Sequence, residues 1–178
     1  MTTEQITVQI PTLEMQTIIH LQPLDGERLS DADFEKLARN NGDMRIEQNA
    51  TGEVIIMPPT GGTTGKRNFS LNGQLYVWNT NTQLGEAFDS STIFVLPNGA
   101  KRSPDASWVK KERWNKLTRK QQDEFPPVCP DFVVELRSRT GALKPLQEKM
   151  QEYTENGAQL GWLIDPTKRR VHVYRPQT

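Results

Sequence analysis

Two acidic side chains lie within apolar stretches, where a carboxylate is costly unless a cation neutralises it. Glu135 interrupts the run Phe-Val-Val-Glu-Leu, which is typical of a buried central strand. Asp105 follows Ser103-Pro104 and begins the stretch Ala-Ser-Trp-Val about thirty residues earlier. If the two segments are neighbouring strands, the carboxylates can bind one Mg²⁺ or Mn²⁺ through hard oxygen ligands. The pair therefore indicates a divalent-metal site.

Each acid also has a purely structural interpretation. Glu135 could form an ion pair with a buried arginine or lysine. Asp105 could be only a turn and strand cap, as we expect for Asp131 after Pro130. The residues alone leave these interpretations open beside the metal site.

The bulk composition limits the classes of protein that fit. A length of 178 residues suits one domain, and the 22 acidic and 22 basic residues cancel. Any binding of nucleic acid must therefore come from a local basic patch. The single cysteine, Cys129, cannot form an internal disulfide, and no apolar run approaches the roughly 20 residues that span a bilayer. We expect a cytoplasmic protein.

The periodicity of apolar residues predicts alternating strands and helices of one α/β domain over residues 30–178, after an N-terminal extension of residues 1–29. In the extension, residues 17–21 could form an edge strand. The predicted elements are a helix from Ser30 to Asn40, a hairpin of 45–48 and 53–57, a helix over about 66–80, short strands within 84–109, a short helix within 110–128, a strand at 132–136, a helix over about 144–156, and a hairpin of 161–165 and 170–174.

Four motifs in this order resemble the Uma-two family of endonucleases, within the PD-(D/E)XK restriction-endonuclease-like superfamily. They are Ser-Pro-Asp105, Pro-Asp-Phe-Val-Val-Glu135-Leu-Arg-Ser138, Lys149-Met-Gln-Glu-Tyr153 and Gly157-Ala-Gln-Leu-Gly-Trp-Leu-Ile-Asp-Pro166. The resemblance covers residues from about 30 to 175. It implies a restriction-endonuclease-like mixed central β-sheet flanked by helices, with N-terminal and C-terminal β-hairpins, and metal-dependent hydrolysis of phosphodiester bonds.

The resemblance assigns roles to individual residues. Asp105 and Glu135 match the family's metal ligands, and Glu47 in the first hairpin is a lesser candidate ligand. Where the superfamily's triplet has lysine, this chain has Arg137, which stays protonated and could stabilise a phosphate but not act as a base. This departure puts the expected catalysis in question.

Lys149 offers a replacement for the missing lysine. It lies three residues after Leu146 and four before Tyr153, so it borders the helix stripe that faces the sheet. The resembling family looks as if it uses this lysine to orient or deprotonate the attacking water. The alternative is a lysine on the solvated side of the helix.

The resemblance implies DNA as the substrate and makes a homodimer an expectation by analogy. The best basic patch is Lys110, Lys111, Arg113, Lys116, Arg119 and Lys120, which we expect beside the site because it follows the strand that begins at Asp105. Lys101 or Arg137 could meet the phosphate. The alternative function, favoured by the missing lysine and the neutral charge, is a catalytically degenerate nuclease-like module that binds nucleic acid or a partner protein.

Overall fold

A computed structural model describes residues 18–22 and 28–176 of the protein. Within these ranges the elements in chain order are β1 (Ile19–Leu21), α1 (Asp31–Asn40), β2 (Arg45–Gln48), β3 (Val54–Met57), α2 (Gly62–Thr82), β4 (Gly85–Asp89), β5 (Phe94–Val95), β6 (Lys101–Arg102), β7 (Ala106–Lys110), α3 (Lys111–Trp114), α4 (Arg119–Asp123), β8 (Phe132–Leu136), α5 (Leu143–Glu155), β9 (Leu160–Asp165) and β10 (Arg170–Tyr174). In the same ranges, the helices are too short or too polar to span a membrane.

Among the described helices, only α1 and α4 begin with a side-chain cap. The Ser30 hydroxyl accepts a hydrogen bond from the Asp33 backbone N–H at 3.1 Å and caps α1. α2 begins at Gly62, four residues before the predicted start. Its first turn includes the Gly65 N–H, which donates to the Gly61 carbonyl at 3.0 Å. Glycine adopts helical backbone angles when the rest of the helix is anchored by packing, so the predicted start at about residue 66 was too late.

The strands form two five-stranded sheets. The first sheet has the order β1-β3-β2-β6-β5, and the second has the order β10-β9-β8-β7-β4. In the second sheet β8 and β9 pair in parallel across α5, whereas the other neighbours are antiparallel. The mixed central sheet with β8 at its centre is therefore as predicted. The N-terminal hairpin, β2 and β3, belongs to a separate sheet, with β1 along its edge.

Helices cover both faces of the second sheet. On one face, Leu75 of α2 packs with Trp108 of β7 and Val134 of β8. On the other face, Val133 of β8 joins a cluster with residues of α5 and of the first sheet, including Met150. Because strand side chains alternate between faces, Glu135 points to the same side as Val133. The predicted site therefore lies between the second sheet, α5 and the first sheet.

Candidate metal and active site

Asp105 and Glu135 lie side by side on adjacent central strands. The antiparallel register pairs Ala106 with Val134, and its continuation places Asp105 opposite Glu135. Asp105 Oδ2 accepts a hydrogen bond at 2.7 Å from the backbone N–H of Leu136, the residue after Glu135. Both acids are buried, with exposures of 5% and 2%. The structure thus brings the two predicted ligands together.

Arg45 of β2 neutralises Asp105. Its Nη1 donates to Asp105 Oδ1 at 2.7 Å, and its Nη2 donates to the Ser103 carbonyl. The Nε atom of Arg45 is buried without a hydrogen-bond partner among the described residues. Burial opposes the charged guanidinium, but Asp105 and then Glu135 outweigh it and raise the pKa of Arg45.

Sequence reasoning missed Arg45 as a site residue. A signal was available, because residues i and i+2 of a strand share a face and Arg45 precedes Glu47 by two positions in β2. The first sheet thus contributes both an acid and a cation to this region.

Lys149 joins two acids from different elements. Its Nζ lies 2.7 Å from Glu47 Oε1 and 2.7 Å from Glu135 Oε1. One turn further along α5, the Tyr153 hydroxyl donates to Glu135 Oε1 at 3.1 Å. Burial and then the charge of Glu135 raise the pKa of Tyr153 well above its ordinary value, so the phenol stays a donor. Lys149 therefore faces the site and is buried rather than solvated.

Glu47 supports Lys149 from the first sheet. Besides Lys149, its Oε1 accepts from the Ser103 N–H at 3.0 Å, and its Oε2 pairs with Arg102 Nη1 at 3.2 Å. Burial opposes ionisation of Glu47, but Lys149 and then Arg102 outweigh it and lower its pKa to about 2. Glu47 reaches Glu135 only through Lys149, and the described residues contain no group of three or more His, Cys, Asp or Glu suited to a metal.

The donor set of Asp105 and Glu135 nevertheless fits a hard divalent cation. Burial raises the pKa of Glu135, and the neighbouring charge of Asp105 adds to this effect against the opposing Lys149. Two carboxylates in such proximity favour a shared cation. The contacts of the Glu135 carboxylate with Tyr153 and Lys149 both involve Oε1. In the part of the chain that the structure describes, no hydrogen bond reaches Oε2, which leaves this oxygen available to a metal.

Comparison with known families decides what kind of protein carries this site. The profile of the Uma2 family, described as "Putative restriction endonuclease", matches residues 31–178. The chain belongs to the Uma2 family. Its fold is similar to that of a protein from Anabaena variabilis ATCC 29413 whose crystal structure, at 1.96 Å resolution, is described as that of "a putative nuclease belonging to DUF820". The TM-score is 0.63 and the identity 21%, over 75% of this chain and 73% of that one. No curated protein matches the chain.

Arg137, at the superfamily's lysine position, has other partners in this Uma2 protein. Its Nη1 donates to Asp165 Oδ2 at 2.7 Å, and its Nε donates to the Gly141 carbonyl at 2.8 Å. These contacts fix the chain after β8 to the end of β9. The described contacts of Arg137 therefore include neither Asp105 nor Glu135.

Lys101 is unavailable to a substrate of the Uma2 protein. It is 1% exposed, and its Nζ lies 2.8 Å from Asp31 and 3.0 Å from Gln48. Successive strand residues point to opposite faces, so its neighbour Arg102 faces Glu47 instead. The expectation that Lys101 meets the phosphate is wrong.

The predicted position of the basic patch is also wrong. Lys110 ends β7, whereas Asp105 precedes its first residue, so about 17 Å of strand separates them at about 3.4 Å per residue. Within the patch, Arg113 is paired with Asp131 at 3.0 Å. The patch does follow the strand that begins after Asp105, but β7 runs away from Asp105, so the patch lies at the opposite end of this strand from the site.

Other cations lie at the end of the molecule that holds the site. Asn72 of α2 donates to the Asp105 carbonyl at 3.0 Å, and further along the helix Asn79 accepts from Trp108 at 2.7 Å. The N-terminal turns of α2 therefore extend beyond Asp105. They carry Lys66 and Arg67, which are both exposed.

Proposed function

We propose that this Uma2 protein is a metal-dependent endonuclease that hydrolyses DNA phosphodiester bonds, with Mg²⁺ or Mn²⁺ held by Asp105 and Glu135. One observation carries the proposal. Two buried carboxylates lie opposite each other on adjacent central strands, and a buried lysine contacts one of them at 2.7 Å. Family membership and a nuclease-like fold support the same reaction class.

The bound ion supplies a Lewis acid for the phosphate and a water of lowered pKa. Lys149 orients the attacking water and donates a hydrogen bond to it, while Glu47 fixes the ammonium group from the other side. Tyr153 holds the carboxylate of Glu135 in one orientation through its hydroxyl. Arg45, which neutralises Asp105 in this structure, is a cation next to one of the proposed ligands and would stabilise the increasing charge of the phosphate.

The contacts that we propose with DNA are inferred from the charge of exposed side chains. Because the net charge of the chain is zero, long-range attraction to DNA is weak and local cations must position the backbone. Lys66 and Arg67 are exposed at the start of α2, beyond Asp105. We therefore assign the contacts with DNA phosphates to Lys66 and Arg67, and not to the basic patch that begins at Lys110.

Calorimetric titration with Mn²⁺ tests the metal site directly. The wild-type protein should bind one ion, and Glu135→Gln and Asp105→Asn should each abolish binding, because each removes a charged ligand without changing its size. Asp131→Asn is the matched control, since Asp131 is also buried and paired with an arginine but lies away from the site. Its metal affinity should equal that of the wild type.

Cleavage of supercoiled and linear DNA with Mg²⁺ or Mn²⁺ tests the reaction. The activity should disappear in Glu135→Gln while the circular dichroism spectrum stays unchanged. Activity that survives in this variant would come from another protein in the preparation and would remove the support for the proposal.

A second candidate function is a nuclease-like module that binds nucleic acid or a partner protein without catalysis. One observation favours it. The site acids already have cationic partners, Arg45 and Lys149, and Arg137, where the superfamily's triplet has lysine, is bonded to Asp165. Absence of Mn²⁺ binding to the wild type, together with binding of DNA that needs no metal, would make this the better account.

A further inference from the structure

The outer face of α2 carries apolar side chains that the monomer does not bury. Phe69, Tyr76 and Val77 are 84%, 67% and 57% exposed. They follow one another at i, i+7 and i+8, with Gly73 between them at i+4, so they lie on one side of the helix. We call these four residues the α2 stripe. The opposite side of α2 packs on the second sheet through Leu75.

The α2 stripe lies in a segment without charge. Residues 68–85 contain no Asp, Glu, Lys, Arg or His, although a quarter of the chain is charged. A large apolar patch on a helix face is uncommon on the surface of a monomer and typically marks an interface. The absence of charge is informative about the partner. A two-fold interface brings the same surface patch of both copies together, so a patch with charges of one sign would repel itself, whereas an uncharged patch does not.

Among the described residues, no close contact requires a glycine at position 73. A Cβ atom built at this position meets nothing within 4 Å, so the site has room for a side chain. Glycine inside a helix is destabilising relative to alanine. A glycine at the centre of an exposed apolar stripe is explained if another backbone approaches closely there.

We propose that the α2 stripe is a self-association surface, on which α2 of a second copy packs antiparallel across a two-fold axis at Gly73. In this register Phe69 of one protomer lies against Val77 of its partner, because both are four residues from the axis. Lys66 is seven residues from the axis, so the two copies of this lysine lie about 21 Å apart at about 1.5 Å per residue. A parallel arrangement would bring the same lysines together.

Sedimentation velocity over a range of concentrations tests the proposal with the full chain. The wild type should form dimers, and F69E should weaken association at least tenfold, because the new carboxylate meets an apolar side chain. The double variant F69E/V77K should restore the dimer, since each new acid then meets a new base of the other protomer. Restoration by a second charge distinguishes a direct contact from misfolding.

V171E is the matched control. Val171 is 52% exposed on the edge strand β10, far in sequence from α2, and its substitution should leave association unchanged. Dissociation by V171E and not by F69E would assign the interface to the sheet edge and overturn the proposal. A wild type that stays monomeric at all concentrations would also overturn it.

Cross-linking tests the register. G73C should form a disulfide between protomers on mild oxidation, because the axis brings the two positions together. S70C is the control, since its two copies would lie about 9 Å apart along the helix axis. Cys129 is buried and does not compete. Equal cross-linking of both variants would exclude the antiparallel register.

Discussion

Arg45 Nη1 lies 2.7 Å from Asp105 Oδ1, so the guanidinium neutralises the charge of one of the two proposed metal ligands. A divalent ion and Arg45 would therefore share the same carboxylate. The ion pair is largely buried, which strengthens the interaction relative to one on the surface. Arg45 stabilises the metal-free site and competes with the metal.

Arg45→Gln should bind Mn²⁺ more tightly than the wild type, by about tenfold, or about 1.4 kcal/mol. The change removes the competing charge but keeps a hydrogen-bond donor near Asp105. Calorimetry under the conditions used for the wild type is the measurement. Arg113→Gln, which breaks the ion pair with Asp131, should leave the affinity unchanged. Weaker binding in Arg45→Gln would show that Arg45 positions Asp105 instead of competing for it.

Lys149→Met should lower the rate of DNA cleavage at least a hundredfold while Mn²⁺ still binds. The substitution removes the ammonium group that contacts Glu47 and Glu135 but leaves both proposed ligands in place. Single-turnover cleavage and calorimetry on the same preparation separate the two effects. If this variant no longer bound metal, Lys149 would only position the proposed ligands and would have no role in the reaction. Lys144→Met, on the exposed side of α5, is the control.

Glu47→Gln should lower the free energy of unfolding at neutral pH by a few kcal/mol, because Lys149 and Arg102 outweigh burial, lower the pKa of Glu47 and favour its charged form in the folded state. A lowered pKa stabilises the folded state fully above 4.5, and this contribution is lost as the pH falls towards 2. Urea unfolding of both proteins at pH values across this window should show the difference shrinking. A constant difference would mean that the lost hydrogen bonds, and not the charge, are responsible.

The double variant Lys66→Gln/Arg67→Gln should bind DNA more weakly, and its affinity should depend less on salt. The variant neutralises two fewer phosphates, so its binding releases fewer counterions from the DNA. The slope of log affinity against log salt should become less steep by about 2. The matched pair Lys116→Gln with Lys120→Gln removes the same charge from the patch beyond β7 and should leave the slope unchanged. If the slope changed only in the Lys116→Gln/Lys120→Gln variant, the basic patch that begins at Lys110 would be the surface that contacts DNA.

The sequence was a good guide to elements and to the two central acids because both depend on local signals. The apolar run of β8 with one acid, and the proline before Asp105, can be recognised without knowledge of any partner. The helix stripe around Lys149 left two orientations open, towards the sheet or towards solvent, and in the structure this lysine is buried.

The errors concern relationships between distant segments. Arg45 and Asp105 are 60 positions apart, and Arg137 meets Asp165 across 28 positions. The register of two strands and the direction of β7 determine these contacts, and a single sequence does not reveal either. The division into two sheets has the same origin, since it depends on which strand β2 pairs with on its second edge.

The contact between Glu47 and Lys149 spans 102 positions of the chain and joins the first sheet to α5. Closing a loop of this length is entropically costly, and proteins rich in long-range contacts fold slowly. Every residue between Glu47 and Lys149 must leave the ribosome before the two side chains can meet. A polypeptide synthesised or trimmed only as far as β8 would carry Asp105 and Glu135 without the lysine that lies 2.7 Å from Glu135.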